Sequence, residues 1–530
     1  MQRIFTLTFL FCFSATFASA QFGYTRYIVQ FTDKKGTEFS LAAPSAYLSQ
    51  KAIERRTKQK LIVDSTDLPL SKIYVDSIRA IPNVTILNQS KWLNQLLIRT
   101  ADPSAIAKIN SFPFVKSAAQ IAPVPKPTDE IISSKIEPVY DLGNEILSQV
   151  DGAQNASGIK DIQLDYGSTY NQIHIHEGEY LHNLGFTGKG ITIAILDAGF
   201  QSYLTNPAFD SVRLQGRILG VWDYVSNHAS VNEDHPHGSQ CFSIIASNRP
   251  GIIVGSAPGA SFWLFRTEDA ATEFPVEEQN WIAAAEFADS AGVDMISTSL
   301  GYSIFDNSAF NHTYPQRDGN TSMITRAADL AARKGILLTV SAGNDGGRAD
   351  DYKFVSSPAD ADSVLTVGAV TNTGLIANFS SWGPNSAGKV KPNVVSVGQG
   401  TVLANNSGNP VGGNGTSFSN PNMAGLVACL WQAFPEFTNM EIIDAVEKSS
   451  DKYNLPDGRY GHGIPNFRKA YDILSIEREL RKYSAILGND WIKPFPTPYQ
   501  NNLGVIIKGQ VDGLAKIQLL DASGRLFETQ

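Results

Sequence analysis

The sequence predicts an α/β protein: a doubly wound, mostly parallel sheet with helices on both faces, preceded by a small α+β unit and followed by a small β segment. Three observations predict it. Between residues 166 and 476, continuous apolar runs such as "ITIAIL", "DMISTSL", "GILLTVSA" and "VLTVGAV" recur between helical stretches, the pattern of parallel strands buried on both faces. Residues 24 to 120 mix strand-like and helical runs in a shorter compass, and only short strand-like runs follow residue 495. At 530 residues with 42% hydrophobic and 18% charged side chains, the chain is globular and longer than one ordinary domain.

The first element is "MQRIFTLTFLFCFSATFASAQ". Arg3, the apolar stretch from Ile4 to Phe17 and the small residues Ala18-Ser19-Ala20 read as a secretory signal peptide, residues 1–20, cut after Ala20. A membrane anchor is the competing reading, but the apolar stretch is short and the A-x-A ending favours cleavage. No later segment approaches the roughly 18 apolar residues of a spanning helix, so a soluble, exported protein, secreted or at the cell surface, is expected.

Residues 21–121 form the α+β unit, with strands in "TRYIVQFT", "NVTILN" and "NQLLIRT" and helices in "APSAYLSQKAIERRTKQ" and "PSAIAKINSFPF". Residues 122–165, rich in Pro, Ser and Asp, read as an exposed linker and a cleavage zone. The sheet domain is expected over 166–476, with helices in "EEQNWIAAAEFADSAG" and "TSMITRAADLAARKG", then a linker over 477–495 and a partial β segment over 496–530.

Composition excludes some functions. A formal charge of −8 and no Lys/Arg-rich block leave no basic face for nucleic acid. Cys12 leaves with the signal; Cys241 and Cys429 sit in apolar helical patterns, and sequence leaves their pairing open. No Cys/His cluster has zinc spacing, and "HIHEG", with His174 and His176 two apart, is a weak metal signal that reads rather as a surface strand or loop.

In open parallel sheets, chemistry lies at the carboxyl ends of the strands. There stand Asp197, ending "ITIAILD"; His237, opening a helix in "HPHGSQ"; Asn344, in the Gly-rich turn of "SAGND"; and Ser417, in "NGTSFSNPNMAG" before an apolar helix. Each alone is ordinary turn or cap chemistry. A serine becomes a nucleophile only with a base, a group orienting the base, and oxyanion donors.

Taken together and in this order, "DAG", "HGSQ", "SLG", "SAGN" and "GTSFSNPNMAG" resemble the motifs of the subtilisin-like serine peptidases over about residues 180 to 475. The resemblance implies a subtilisin-like fold and an exported serine endopeptidase working through an acyl-enzyme. In it Ser417 is the nucleophile, His237 the base, Asp197 its orienter and Asn344 an oxyanion donor, while Ser299, Leu300, Gly301, Ala342 and Gly343 bind substrate backbone and line the first specificity pocket. Ala198, Ser239, Gln240, Phe418 and Asn422 depart from the usual residues without replacing a group that performs the bond chemistry.

Residues 24 to 120 resemble the family's propeptides, which implies self-cleavage within 120 to 166 and the propeptide itself as a partner beside protein or peptide substrates. The tail resembles the front of a C-terminal sorting domain for type IX secretion, which implies that machinery as a further partner; the strands and basic end of a complete sorting domain do not follow before Gln530. No cofactor is needed for catalysis. Many relatives carry stabilising Ca²⁺, for which the acidic loops 232–235 and 343–351 offer oxygens, and a monomer is expected. The competing class is an inactive subtilase fold used for adhesion. An esterase is disfavoured, because its elbow is G-x-S-x-G with Ser before Asp and His.

Overall fold

The computed structural model describes residues 24–123, 137, 139–142, 164–233 and 235–488, and short strands at 492–495, 504–507, 518–520 and 526–529. The expected signal peptide and most of the expected cleavage zone lie outside these residues. The chain divides into two compact units, 1–468 and 469–530.

Among the described residues of the first unit, the main sheet has nine strands. Strands 218–223, 261–266, 192–197, 295–298, 337–341, 365–371 and 394–404 lie side by side in that order and run parallel. Strand Pro410–Asn414 then pairs antiparallel with 394–404, and the two-residue strand Val139–Tyr140 pairs antiparallel with it in turn. The order reverses beside strand Thr192–Asp197, so Asp197 ends a strand at the switch point where such sheets open a crevice.

Side-chain alternation divides the core. Ala194, Leu196, Ile296, Leu338 and Val340 point into one cluster with Trp281, Ile282 and Ala285 of helix Pro275–Ala291 and Ile324, Ala327 and Ala331 of helix Met323–Arg333. Helices His237–Ala246 and Thr416–Ala433 pack on each other and on the sheet. Both are buried along their length, polar residues of the first turns included, so neither carries the one-sided apolar stripe of a surface helix.

The N-terminal α+β domain is a four-stranded antiparallel sheet, ordered 85–90, 95–99, 24–31, 115–123. Helices Lys72–Arg79 and Pro103–Asn110 fill one face through Val75, Ile78, Ala105 and Ile109. Ile28, Leu97 and Ile121 on the other face meet Phe274 and Val276 at the start of helix 275–291. The expected single helix over residues 43 to 59 is broken: Ser49 accepts from Ala52 N at 3.2 Å and starts a new helix, Gln50–Lys58.

Two expectations are corrected. His174 ends a short helix, Tyr170–His174, and His176 is fully buried, its Nδ1 donating to Pro465 O (2.9 Å) and its Nε2 accepting from Ser396 Oγ (2.8 Å). Burial pushes the His176 imidazole down to about 4, and neither ring nitrogen is left for a metal. Residues 477–495, read as a linker, continue the helix Phe467–Leu487 and hold the strand Ile492–Phe495. In the second unit that strand pairs antiparallel with Gly504–Ile507, and Gln518–Leu520 with Leu526–Thr529.

Candidate active site

The strand–turn–helix geometry brings the motif residues to one place. Asp197, fully buried, ends its strand, and Oδ1 accepts from Ala198 N (2.7 Å) and from His237 Nδ1 (2.6 Å). His237 opens its helix and is followed by a glycine for a steric reason: a Cβ at 238 would lie 2.4 Å from Gly199 O and 3.0 Å from Asp197 Cβ. Ser417 lies in the first turn of helix 416–433, where free backbone N–H groups and the helix dipole favour negative charge.

Asn344 stands exposed at the rim, just after Gly343, whose φ of +106° suits glycine. Its orientation follows from its partners: Oδ1 accepts from Thr416 N (2.8 Å) and Thr416 Oγ1 (2.9 Å), so Nδ2 faces the cleft. Ser299 is tied to the serine loop, its Oγ donating to Ser417 O at 2.9 Å, while Leu300 is half-exposed and Gly301 exposed. Gly301 and Gly343 flank the buried Ser356 hydroxyl, and Ala342 is buried behind them.

One residue at this site went unrecognised in the sequence. The Glu137 carboxylate, from the expected linker, accepts from Ser417 Oγ and from Asn344 Nδ2 (3.0 Å) on Oε1, and meets His237 Nε2 at 2.6 Å through Oε2. It thus stands between the serine and the histidine. The linker is not simply exposed here: the Glu137 side chain is 13% exposed. No periodic or motif signal marks it; the only local hint is the β-prone Val139-Tyr140 pair that follows.

The electrostatics follow from this packing. Burial opposes protonation of His237, but the charges of Asp197 and Glu137 outweigh it and hold the imidazole well above its ordinary value. Burial alone would raise Glu137; the His237 charge and the hydrogen bonds from His237, Ser417 and Asn344 hold it below the usual carboxylate range.

Cys241 and Cys429 are buried free thiols. Cys241 Sγ donates to Ser417 O at 3.3 Å and Cys429 Sγ to Ser256 O at 3.3 Å, so both pack as small polarisable groups. In the acidic loop 343–351, Asp350 pairs with Arg348 at 2.8 Å, and Asp345 faces the same guanidinium at 3.9 Å. Among the described residues, Glu268, Glu273 and Glu277 bring carboxylate oxygens within 4.8 Å of one another.

The profile of the subtilase family matches residues 188–463, more than half of the chain. The chain belongs to the subtilase family. A second profile, the Peptidase S8 propeptide domain of Bacteroidota, matches residues 26–134. Serine protease AprX of Bacillus subtilis (strain 168) is 28% identical over 364 residues, 63% of this chain and 74% of the relative. Subtilisin E of the same organism is 28% identical over 294 residues, 55% of this chain and 68% of the relative. Among solved structures, MycP1 from Mycobacterium smegmatis matches with a TM-score of 0.44 and 21% identity, covering 60% of this chain and 86% of that one. This subtilase is therefore a serine endopeptidase with a propeptide, and the N-terminal sheet that rests on helix 275–291 is that propeptide.

Among the described residues of this subtilase, no helix is long and apolar enough to cross a membrane.

Proposed function

We propose that this subtilase cuts peptide bonds with Ser417 as nucleophile. His237 takes the serine proton and returns it to the leaving amine, while Asp197 holds the imidazole by Nδ1 and stabilises its cation. Asn344 Nδ2 and the Ser417 backbone N–H receive the oxyanion of each tetrahedral intermediate. Ser299, Leu300 and Gly301 pair with an extended substrate, and Ala342 and Gly343 wall the first side-chain pocket. The observation that carries this reading is convergence: Ser417 Oγ, His237 Nε2 and Asn344 Nδ2 all point at one carboxylate, while His237 Nδ1 rests on Asp197.

The serine must attack while the imidazole is neutral, so the enzyme works on the high-pH side of the His237 titration. Self-cleavage within residues 120–166, export through residues 1–20 and a sorting role for residues 496–530 complete the reading. Its substrates are proteins or peptides, its own propeptide among them. An adhesion scaffold has no chemical need for four groups converging in this way.

Fluorophosphonate labelling, mapped by mass spectrometry, tests the proposal. Adduct on Ser417 of the processed enzyme, absent from Ser417→Ala, is expected; a folded, propeptide-free protein that takes no label refutes it.

A further inference from the structure

The gap between Gly301 and Gly343 has a floor of its own. Ser356 N donates to Ala342 O at 3.4 Å, and Ser357 exchanges backbone hydrogen bonds with Tyr302, its O accepting from Tyr302 N (2.7 Å) and its N donating to Tyr302 O (3.1 Å). Residues 356 and 357 therefore tie the two walls together, through Tyr302, which follows Gly301, and Ala342, which precedes Gly343. Gly301 is exposed and Gly343 half-buried, whereas Ser356 is 5% exposed. The gap opens to solvent at its mouth and is closed at its base.

The Ser356 side chain decides how deep that gap runs and what lies at its end. A Cβ at Gly301 would lie 2.1 Å from Ser356 Oγ and 3.1 Å from Ser356 Cβ, and one at Gly343 would lie 3.4 Å from Ser356 Oγ. The hydroxyl therefore stands between the walls and takes up the length that a ring or a long aliphatic chain needs. Its hydrogen-bonding capacity is unspent: among the described residues, Ser356 Oγ is buried and makes no hydrogen bond. The other hydroxyl beside Gly343, Ser381 Oγ, already accepts from Asp345 N at 3.1 Å. An apolar side chain pressed against a buried hydroxyl leaves it unsatisfied, whereas a polar one supplies the bond.

We propose that Ser356 sets the side chain accepted on the acyl side of the cut: a short polar residue, Asn, Ser or Thr, whose oxygen bonds the Ser356 hydroxyl, with aromatic and long aliphatic residues excluded by depth. The proposal deepens the peptidase reading and rests on it, since this gap receives that side chain only where Ser417 is the nucleophile and residues 299–301 and 342–343 bind substrate.

The test is kcat/KM of the processed enzyme on peptides identical except at that position. Asn against Leu and Thr against Val are the deciding pairs, because the members of each pair have nearly the same shape and differ in polarity. The wild type should favour the polar member by roughly 10- to 100-fold, and should cut Phe and Tyr peptides more slowly than the Asn peptide. Ser356→Ala should erase the preference within each pair. Ser356→Gly, which also lengthens the gap, should raise Leu and Phe relative to Asn by at least about tenfold.

A wild type that takes fluorophosphonate on Ser417 yet prefers Leu to Asn, or cuts none of the polar members, overturns the proposal and leaves the nucleophile assignment intact. A Ser356→Ala enzyme that labels and keeps the wild-type ratios does the same, and the wild-type ratios decide alone where a variant fails to fold. A processed wild type that neither cuts any peptide of the series nor labels at Ser417 removes the peptidase reading, and the proposal with it.

Discussion

Arg56 Nη2 donates to Asp289 Oδ2 across 2.9 Å, joining propeptide to catalytic domain between residues 233 apart in the chain. The same Asp289 carboxylate binds Arg55 through its other oxygen, and Arg56 continues to Asp67 at 2.6 Å, which accepts Lys334 at 2.9 Å. Arg56, Asp289 and Asp67 are almost wholly shielded from water. Removing one partner from such a network strands the others without solvent. Asp289→Ala should weaken propeptide docking by about 3–5 kcal/mol, read as the affinity of separately made propeptide for the catalytic domain. Asp76→Ala, which breaks only exposed pairs with Lys72 and Arg79, should change it by less than about 1 kcal/mol.

Glu286 makes docking pH-dependent. Its carboxylate accepts from Ser90 Oγ, Lys91 N (2.7 Å) and Trp92 N (3.0 Å), and burial pushes it up to about 7 despite Lys91 nearby. A carboxyl whose pKa is higher in the complex than when free binds a proton on docking, so its contribution is full below the free value and disappears as pH rises through the docked one. Propeptide affinity should therefore fall between about pH 5 and pH 8, and Glu286→Gln should flatten that slope. A slope of the opposite sign that vanishes in Glu286→Gln refutes this assignment.

Asn344 is aimed by Thr416 rather than by its own loop. Asn344→Ala should lower kcat by about 100- to 1,000-fold with little change in KM, the signature of a donor used in the transition state. Thr416→Val keeps the backbone N–H bond but loses the hydroxyl that bridges Gly343 N and Asn344 Oδ1. A smaller loss, about tenfold in kcat, is expected there from imperfect aim.

Gly238 lets His237 lie against Asp197. A methyl group there collides with Gly199 O and crowds Asp197, so Gly238→Ala should shift the helix start and lengthen the Asp197–His237 hydrogen bond. Labelling of Ser417 should slow by at least about tenfold, with the downfield His237 Nδ1 proton resonance moved or lost. An unchanged resonance together with slow labelling would place the fault elsewhere.

Asp197, His237 and Ser417 were legible as candidates because they end a strand or stand at the start of a helix inside apolar patterns, and Asn344 because it stands in a Gly-rich turn just after a strand; what grouped them was the resemblance of the five ordered motifs to a known family. Glu137 was not legible. Its place depends on a two-residue strand pairing with residues 410–414, and neither Pro-rich composition nor any period encodes a partner more than 270 residues away. Arg55 and Arg56 were equally opaque: the helical run over 43–59 carries no sign of a partner for them, and only docking buries them against Asp289. The break before Gln50 is a local feature with a local cause, the Ser49 cap, yet the surrounding helical composition masked it.

Among the described residues, the outer strand Pro410–Asn414 is paired on its free side by Val139 and Tyr140 alone. Departure of Val139 and Tyr140 bares a row of backbone donors and acceptors, and an uncovered strand border invites any extended chain, another molecule of the same protein included. Five residues with two adjacent glycines make a short and weakly gripping border. Any processing that removes Val139 and Tyr140 therefore also frees a strip of backbone for self-association, the more so at high protein concentration.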